Sequence, residues 1–203
     1  GDFASSGLPG EAMGRLNNSQ VRYPVVRATL AYGYGLSVTP LQLTRAYLTL
    51  ASGGKRMPLS ILKQERQVET EQVFDPEHVR HVLAMMELVT ARAGTAAQAA
   101  VPGYRVAGKT GTARIVGKQG YDDERHVAWF AGMLPVSDPR LVMVVLVNEP
   151  RSGVNSGGGV AAPIFGRVAE RSMRLMGVPG DMQEPIIAER GATELVSAAG
   201  AGL

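Results

Sequence analysis

Lys109-Thr110-Gly111-Thr112 is the stretch of this 203-residue chain best suited to chemistry. It sits in the run Tyr104-Arg105-Val106-Ala107-Gly108-Lys109-Thr110-Gly111-Thr112-Ala113, whose alternation predicts a β-strand. Lys109 brings a positive charge to whatever the strand edge binds. Thr110 and Thr112 share a parity along the strand and present two hydroxyls on one side. Gly111 carries no side chain, so a ligand can approach the backbone closely there. An N–H on the strand edge, such as that of Thr112, can donate to a developing oxyanion. Two hydroxyls beside a lysine charge suit a substrate carboxylate, so the tetrad suits acyl transfer on a carboxylate-bearing substrate. Taken as four residues alone, it also fits an ordinary strand with a surface lysine.

The elements that would position this strand are legible around it. Thr39-Pro40 predicts a helix start, Thr39 as N-cap and Pro40 at the first helical position. Leu43, Tyr47 and Leu50 then share a face, and Gly53-Gly54 ends the helix. Asp75-Pro76-Glu77 repeats the cap-plus-proline signal. Val79, Val82, Leu83, Met86 and Val89 follow at helical spacing, with a stop expected near Gly94. Two further strands are expected, at 127–133 and 141–147. The second has no polar residue and is expected to be central and buried on both faces. Short connections make consecutive strands antiparallel neighbours. Lys118-Gln119-Gly120 and Asp122-Asp123-Glu124-Arg125 fill the first loop, with an exposed tip. Ser137-Asp138-Pro139 turns the second. A last helix is expected from Pro163, with Phe165, Val168, Ala169, Ser172 and Met176 along one side and Gly177 closing it. Residues 1–22 read as loop, 57–74 are ambiguous, and 180–203 read as a loose tail.

Composition is that of a globular protein, 45% hydrophobic and 19% charged. The net charge of +3 is small and the basic residues are scattered, so no nucleic-acid partner is expected. There is no cysteine, which excludes disulfide and thiolate chemistry. His78 and His81 stand i,i+3 on the expected helix, but no carboxylate or third histidine completes a metal set. No metal or other cofactor is expected. No apolar run reaches the length of a membrane span, and no signal peptide is visible. The chain starts Gly1-Asp2-Phe3 without methionine, as a processed or cut-out piece would.

Lys-Thr-Gly on a strand is an element of penicillin-reactive serine enzymes. The segment Ala28-Thr29-Leu30-Ala31-Tyr32-Gly33-Tyr34-Gly35-Leu36-Ser37-Val38-Thr39-Pro40-Leu41-Gln42-Leu43 closely resembles one in class B penicillin-binding proteins. So do 103–113 and Val160-Ala161-Ala162-Pro163-Ile164-Phe165. Order and spacing resemble that family over roughly residues 7–180, and its division-specific transpeptidases most of all. The resemblance implies an α+β fold, an antiparallel sheet flanked by helices on both faces, of the penicillin-binding and serine β-lactamase-like superfold, here incomplete. Residues 1–179 would be the C-terminal part of the transpeptidase domain and 180–203 a flexible tail. It implies that Lys109 organises proton transfer. Thr110 and Thr112 would hold the carboxylate of a stem peptide or β-lactam, and the Thr112 N–H would form half of an oxyanion hole. The implied reaction is D-Ala-D-Ala transpeptidation through an acyl-serine. The implied partners are a septal glycosyltransferase and division proteins, on the periplasmic side of the inner membrane, with the anchor outside this chain.

The family's nucleophile is the serine of a Ser-x-x-Lys at a helix start. Ser52-Gly53-Gly54-Lys55 matches in letters but has two glycines where a helix should begin. Ser60-Ile61-Leu62-Lys63 is better locally, yet the resemblance places it downstream of the catalytic serine. No serine has an asparagine two residues later, as the family's Ser-x-Asn requires. The N-terminal half of the domain, with both motifs, is therefore expected before Gly1. In the loop 152–159, Asn155-Ser156 stands where division transpeptidases carry adjacent aromatics that line the β-lactam side-chain pocket. The alternatives are a β-lactamase or D,D-carboxypeptidase of the same superfold, and a non-catalytic sensor or scaffold.

Overall fold

The computed structural model describes residues 3, 4, 6–16, 21–65, 68–117, 120–151 and 153–182. The elements run β1 (Arg15–Leu16), α1 (Pro24–Leu30), β2 (Leu36–Ser37), α2 (Pro40–Ala51), β3 (Lys55–Arg56), β4 (Glu71–Gln72), α3 (Pro76–Thr90), a 3-10 turn (Ala97–Ala99), β5 (Ala107–Gly117), β6 (Gly120–Leu134), β7 (Leu141–Asn148) and α4 (Gly157–Met176). The two caps read from sequence are in place. Thr39 and Gln42 form a reciprocal capping box at α2, and the Asp75 carboxylate accepts from the Glu77 N–H at α3.

The main sheet has the order β5-β6-β7, antiparallel throughout. Side chains of β6 alternate between two cores. Phe130 and Leu134 face α4 and pack with Ala161, Ala162, Phe165, Ala169 and Met173. Ala131 and Met133 face the other way, with Ala107 of β5 and Tyr47 of α2, joined by Leu83 and Met86 of α3. Helices thus cover both faces, the α+β arrangement that the resemblance implies. Phe130 and Phe165 meet edge to face at 4.8 Å. Burial pushes the Tyr47 hydroxyl's pKa up to about 12.

Several expectations are corrected. Among the described residues the all-apolar strand β7 lies at an end of the three-stranded sheet with β6 central, and its side chains are half-buried or exposed rather than buried, Leu146 being 46% exposed. Met143 and Val145 pack on the α4 side, and Val142 and Val144 on the α2 side. Cover on both faces makes a strand apolar whether or not its outer edge is paired. Residues 120–126, expected as loop, continue β6 in a long hairpin arm that pairs Val116 with Tyr121 and Gly117 with Gly120. Backbone pairing alone sustains such an arm, so it needs no apolar alternation. Lys118 and Gln119 at its expected tip lie outside the described residues. Helix α4 begins at Gly157, capped by Ser156, and Pro163 is inside it. A proline there gives up one intrahelical hydrogen bond and crowds the carbonyl one turn back, a cost that falls within the first two turns of the helix. Helix α3 ends at Thr90 and Ala91 is extended, so the stop comes before Gly94.

Within the stretch 1–22, β1 pairs with β2, and α1 follows it with no buried residue. In the ambiguous stretch 57–74, β4 pairs with β3, closing an excursion across which Arg56 meets Glu71. Gly177, at φ 61°, ends α4 in a left-handed cap. Gly180, Asp181 and Met182 are described and lie along Gly103 and Arg105. The remainder of the expected tail, 183–203, lies outside the described residues.

Phe165 is fully buried, whereas Val168 on the same helix is 44% exposed. Phe165→Ala should cost about 3–5 kcal/mol in denaturant unfolding, and Val168→Ala should stay within about 0.5 kcal/mol. Equal effects from the two would contradict the packing of α4 on β6.

Candidate active site

β5 is an edge strand among the described residues, and it carries the tetrad opposite β6: Lys109 pairs with Ala131, Thr110 with Phe130, Gly111 with Trp129 and Thr112 with Ala128. The pleat sorts the four side chains. Ala107 is in the core on the side covered by α2 and α3, so Lys109 and Gly111 share that face. Thr110 and Thr112 face α4. The Thr112 hydroxyl oxygen accepts from the Gly157 N–H at 3.2 Å. The two threonines therefore present their hydroxyls together, as their spacing predicts, and they do so at the start of a 20-residue helix.

Backbone direction follows from three contacts. The Arg105 carbonyl accepts from the Val136 N–H, on the β6 side. The Val106 carbonyl accepts from the Thr90 hydroxyl at 2.7 Å, and the Thr110 carbonyl accepts from Lys109 Nζ at 3.0 Å, both on the open side. Alternation then puts the Thr112 N–H and C=O on the open edge as well. Lys109 itself is exposed and lies back along that edge. The site offers an ammonium, two hydroxyls, an unpaired strand edge and the positive end of a helix dipole, a set that favours an anion.

The helix reaches this position because two residues have no side chain. A Cβ on Gly157 would overlap the Trp129 carbonyl oxygen and stand 3.1 Å from the Gly111 nitrogen. On the opposite face, a Cβ on Gly111 would overlap the Trp129 indole. The room beside Gly111 on that face is thus filled by the chain's own tryptophan rather than left for a ligand. Close approach at Gly111 remains along its backbone.

Thr95 is the residue that sequence reading misses. Its hydroxyl lies 3.4 Å from the Thr110 hydroxyl, and a Cβ on Gly158 would overlap its carbonyl oxygen. It lies in the turn between α3 and the 3-10 segment, fifteen positions before Thr110. Nothing local marks it. The signal was only a hydroxyl residue directly after the Gly94 stop.

The serine decoys are settled by their surroundings. Ser52 follows α2 as its C-cap, and its hydroxyl donates to the Leu48 carbonyl at 2.8 Å. The Ser60 hydroxyl donates to the Leu62 carbonyl at 2.8 Å and accepts from Gln64 at 2.6 Å, in an exposed bend with no helix. Neither has a lysine one helical turn on. Asn155 is half-buried, and Ser156 accepts from the Gly159 N–H at 3.2 Å as the cap of α4. His78 and His81 lie exposed on α3. A groove of about 500 Å³ between β1, β2 and α2 contains none of the tetrad.

A family model described as the penicillin-binding protein transpeptidase domain matches residues 1–170. The chain belongs to that family. It is 43% identical over 181 residues to the peptidoglycan D,D-transpeptidase FtsI of Escherichia coli K12, covering 89% of this chain and 31% of that protein. It is 39% identical over 173 residues to the probable peptidoglycan D,D-transpeptidase PenA of Neisseria gonorrhoeae, covering 85% of this chain and 30% of that one. Its backbone resembles the apo transpeptidase domain of Burkholderia pseudomallei penicillin-binding protein 3, with a TM-score of 0.81 and 42% identity. That match covers 87% of this chain and 54% of the solved one. The chain thus spans about a third of these curated relatives and about half of the solved transpeptidase domain. The Lys-Thr-Gly strand and the α4 start both lie within the family match.

Gly157→Ala should move α4 off β5 and slow acylation by a fluorescent penicillin by about tenfold or more, measured in the whole protein that carries this chain. Acylation at the parental rate would show that the α4–β5 contact does not shape the site.

Proposed function

We propose that this chain is the Lys-Thr-Gly half of a D,D-transpeptidase that cross-links peptidoglycan stem peptides during septal wall synthesis. One observation carries the reading: Thr110 and Thr112 turn their hydroxyls to the start of α4 on an open strand edge that also bears Lys109, in a chain of the transpeptidase family. The C-terminal carboxylate of a D-Ala-D-Ala stem peptide fits between the two hydroxyls. The carbonyl of the scissile bond then lies along β5, with its oxygen toward the Thr112 N–H.

A serine supplied from outside this chain attacks that carbonyl carbon. The terminal D-alanine leaves with a proton, and an acyl-serine remains. The amine of a second stem peptide then attacks the acyl-serine, forms the cross-link and releases the serine. Lys109 stabilises the negative charge at the edge and helps order the protons that move. Backbone donors fixed before reaction cost no reorganisation as charge develops, which is why a rigid strand suits this step. A β-lactam presents a similar carboxylate and carbonyl and is expected to react at the same place. The likeness to FtsI supports a setting on the periplasmic side of the inner membrane, with a septal glycosyltransferase and division proteins as partners. No helix among the described residues is long and apolar enough to cross a membrane, and the reading puts the anchor outside this chain.

Lys109→Ala in the whole protein should reduce penicillin acylation by about a hundredfold or more, with little change in unfolding temperature. This chain alone should take no label. Parental acylation by Lys109→Ala, or a covalent adduct on the isolated chain, would contradict the reading. The loop before α4 gives a separate test. Asn155→Tyr, which leaves the Ser156 cap intact, should speed acylation by β-lactams with bulky aromatic side chains. An unchanged rate with those compounds would mean that this loop does not line their pocket.

A further inference from the structure

After the left-handed turn at Gly177, the chain does not leave the fold. The Val178 N–H returns to the Met173 carbonyl at 3.1 Å, and the Val178 carbonyl accepts from the Tyr104 hydroxyl at 2.5 Å. The Met182 N–H donates to the Gly103 carbonyl at 3.1 Å. A Cβ on Gly180 would overlap that same carbonyl oxygen, so the two backbones run in contact. Between them, one carboxylate oxygen of Asp181 accepts from the Arg105 N–H at 2.6 Å and the other accepts from the Ser137 N–H at 3.1 Å.

Those two N–H groups belong to different parts of the sheet. Arg105 stands just before β5, four residues ahead of Lys109. Ser137 stands in the turn between β6 and β7. One carboxylate therefore ties the lead-in of the site strand to the turn that ends its neighbour. The Arg105 side chain is held separately: Nε and Nη2 donate to the two Glu87 carboxylate oxygens on α3, at 2.9 and 2.7 Å. The hydrogen bonds that Arg105 donates to Glu87, opposed by some burial and reinforced by the charges of Glu87 and Asp181, push the Arg105 pKa above its ordinary value.

An exposed ion pair adds little to stability, and the Arg105 side chain is 44% exposed. Position is a different matter. A strand that slips by one residue sends each side chain to the opposite face, and a slip of β5 would turn Thr110 and Thr112 away from α4. Burial of Val106 and Ala107 and the pairing with β6 oppose such a slip, and on the outer side of β5 no further strand adds to them among the described residues.

We propose that Asp181 is a positioning residue that fixes β5 along its length, so that the functional unit of this chain runs through Met182 and the segment after α4 is a strap on the site strand. The proposal rests on the transpeptidase reading above, because the effect is read through acylation.

The test uses the whole protein and four variants: Asp181→Ala, Asp181→Asn, a stop after Met182 and a stop after Pro179. Each is assayed for the acylation rate by fluorescent penicillin per folded molecule, for noncovalent affinity before acylation, and for unfolding temperature. Asp181→Ala and the stop after Pro179 should each slow the acylation step by about tenfold or more. Asp181→Asn, which keeps one acceptor, should recover part of that loss. The stop after Met182 should react within about twofold of the parent, a negligible energetic difference. An acylation rate per folded molecule unchanged in Asp181→Ala, or in Asp181→Asn should the alanine variant not fold, would overturn the proposal. So would a loss that merely follows the unfolded fraction. A Lys109→Ala variant acylated at the parental rate would instead overturn the functional reading, and this inference with it.

Discussion

The site depends on how closely the start of α4 can sit on β5 and β6. Gly157 rests against the backbone of Gly111 and Trp129, with no room for a methyl group between them. That proximity lets the Gly157 N–H reach the Thr112 hydroxyl and brings Gly158 against the Thr95 carbonyl. Shift the helix outward and three things change together. Thr112 loses its donor, Thr110 loses the wall at its side, and the positive end of the helix withdraws from the open edge. Gly157 and Gly158 are a packing requirement, each held against backbone that a methyl group would overlap, whereas a Cβ on Gly159 would meet only side-chain atoms of Val154 and Ser156.

What holds the helix there is the buried stripe behind it. Ala161, Ala162, Phe165, Ala169 and Met173 lock α4 onto Phe130 and Leu134 of the central strand. Small residues at the near end let the helix approach, and larger ones further along anchor it. The opposite face is filled by α2 and α3 against Ala107, Ala131 and Met133. Trp129 stands at the hinge between these arrangements. Its carbonyl supports Gly157 on one side, while its indole fills the space beside Gly111 on the other. Core and site are therefore the same set of contacts seen from two ends.

Much of this was readable from the sequence, and the remainder was unreadable for identifiable reasons. Caps carry their own chemistry, so Thr39-Pro40 and Asp75-Pro76 announced α2 and α3. The tetrad's parity announced which side chains would be together. β7 misled because apolar content reports covered faces and is silent about the neighbour on each edge. The start of α4 misled because Pro163 resembles a first-turn proline while the true cap, Ser156, precedes three glycines. The arm of β6 misled because its charges resemble a loop, whereas paired backbone needs no apolar alternation. Thr95 and Asp181 were invisible for a deeper reason. Each acts on a residue far along the chain, Thr110 and Arg105 respectively, and no local pattern encodes a contact of that kind.

The central claim is that Thr110 and Thr112 hold a substrate carboxylate against the start of α4. It is tested most directly by a crystal structure of the whole protein acylated by a β-lactam. The account predicts the ligand carboxylate within hydrogen-bond distance of both hydroxyls, at roughly 3 Å, with the acyl oxygen facing the Thr112 N–H on the open edge of β5. A carboxylate bound elsewhere, with both hydroxyls free of it, would contradict the account.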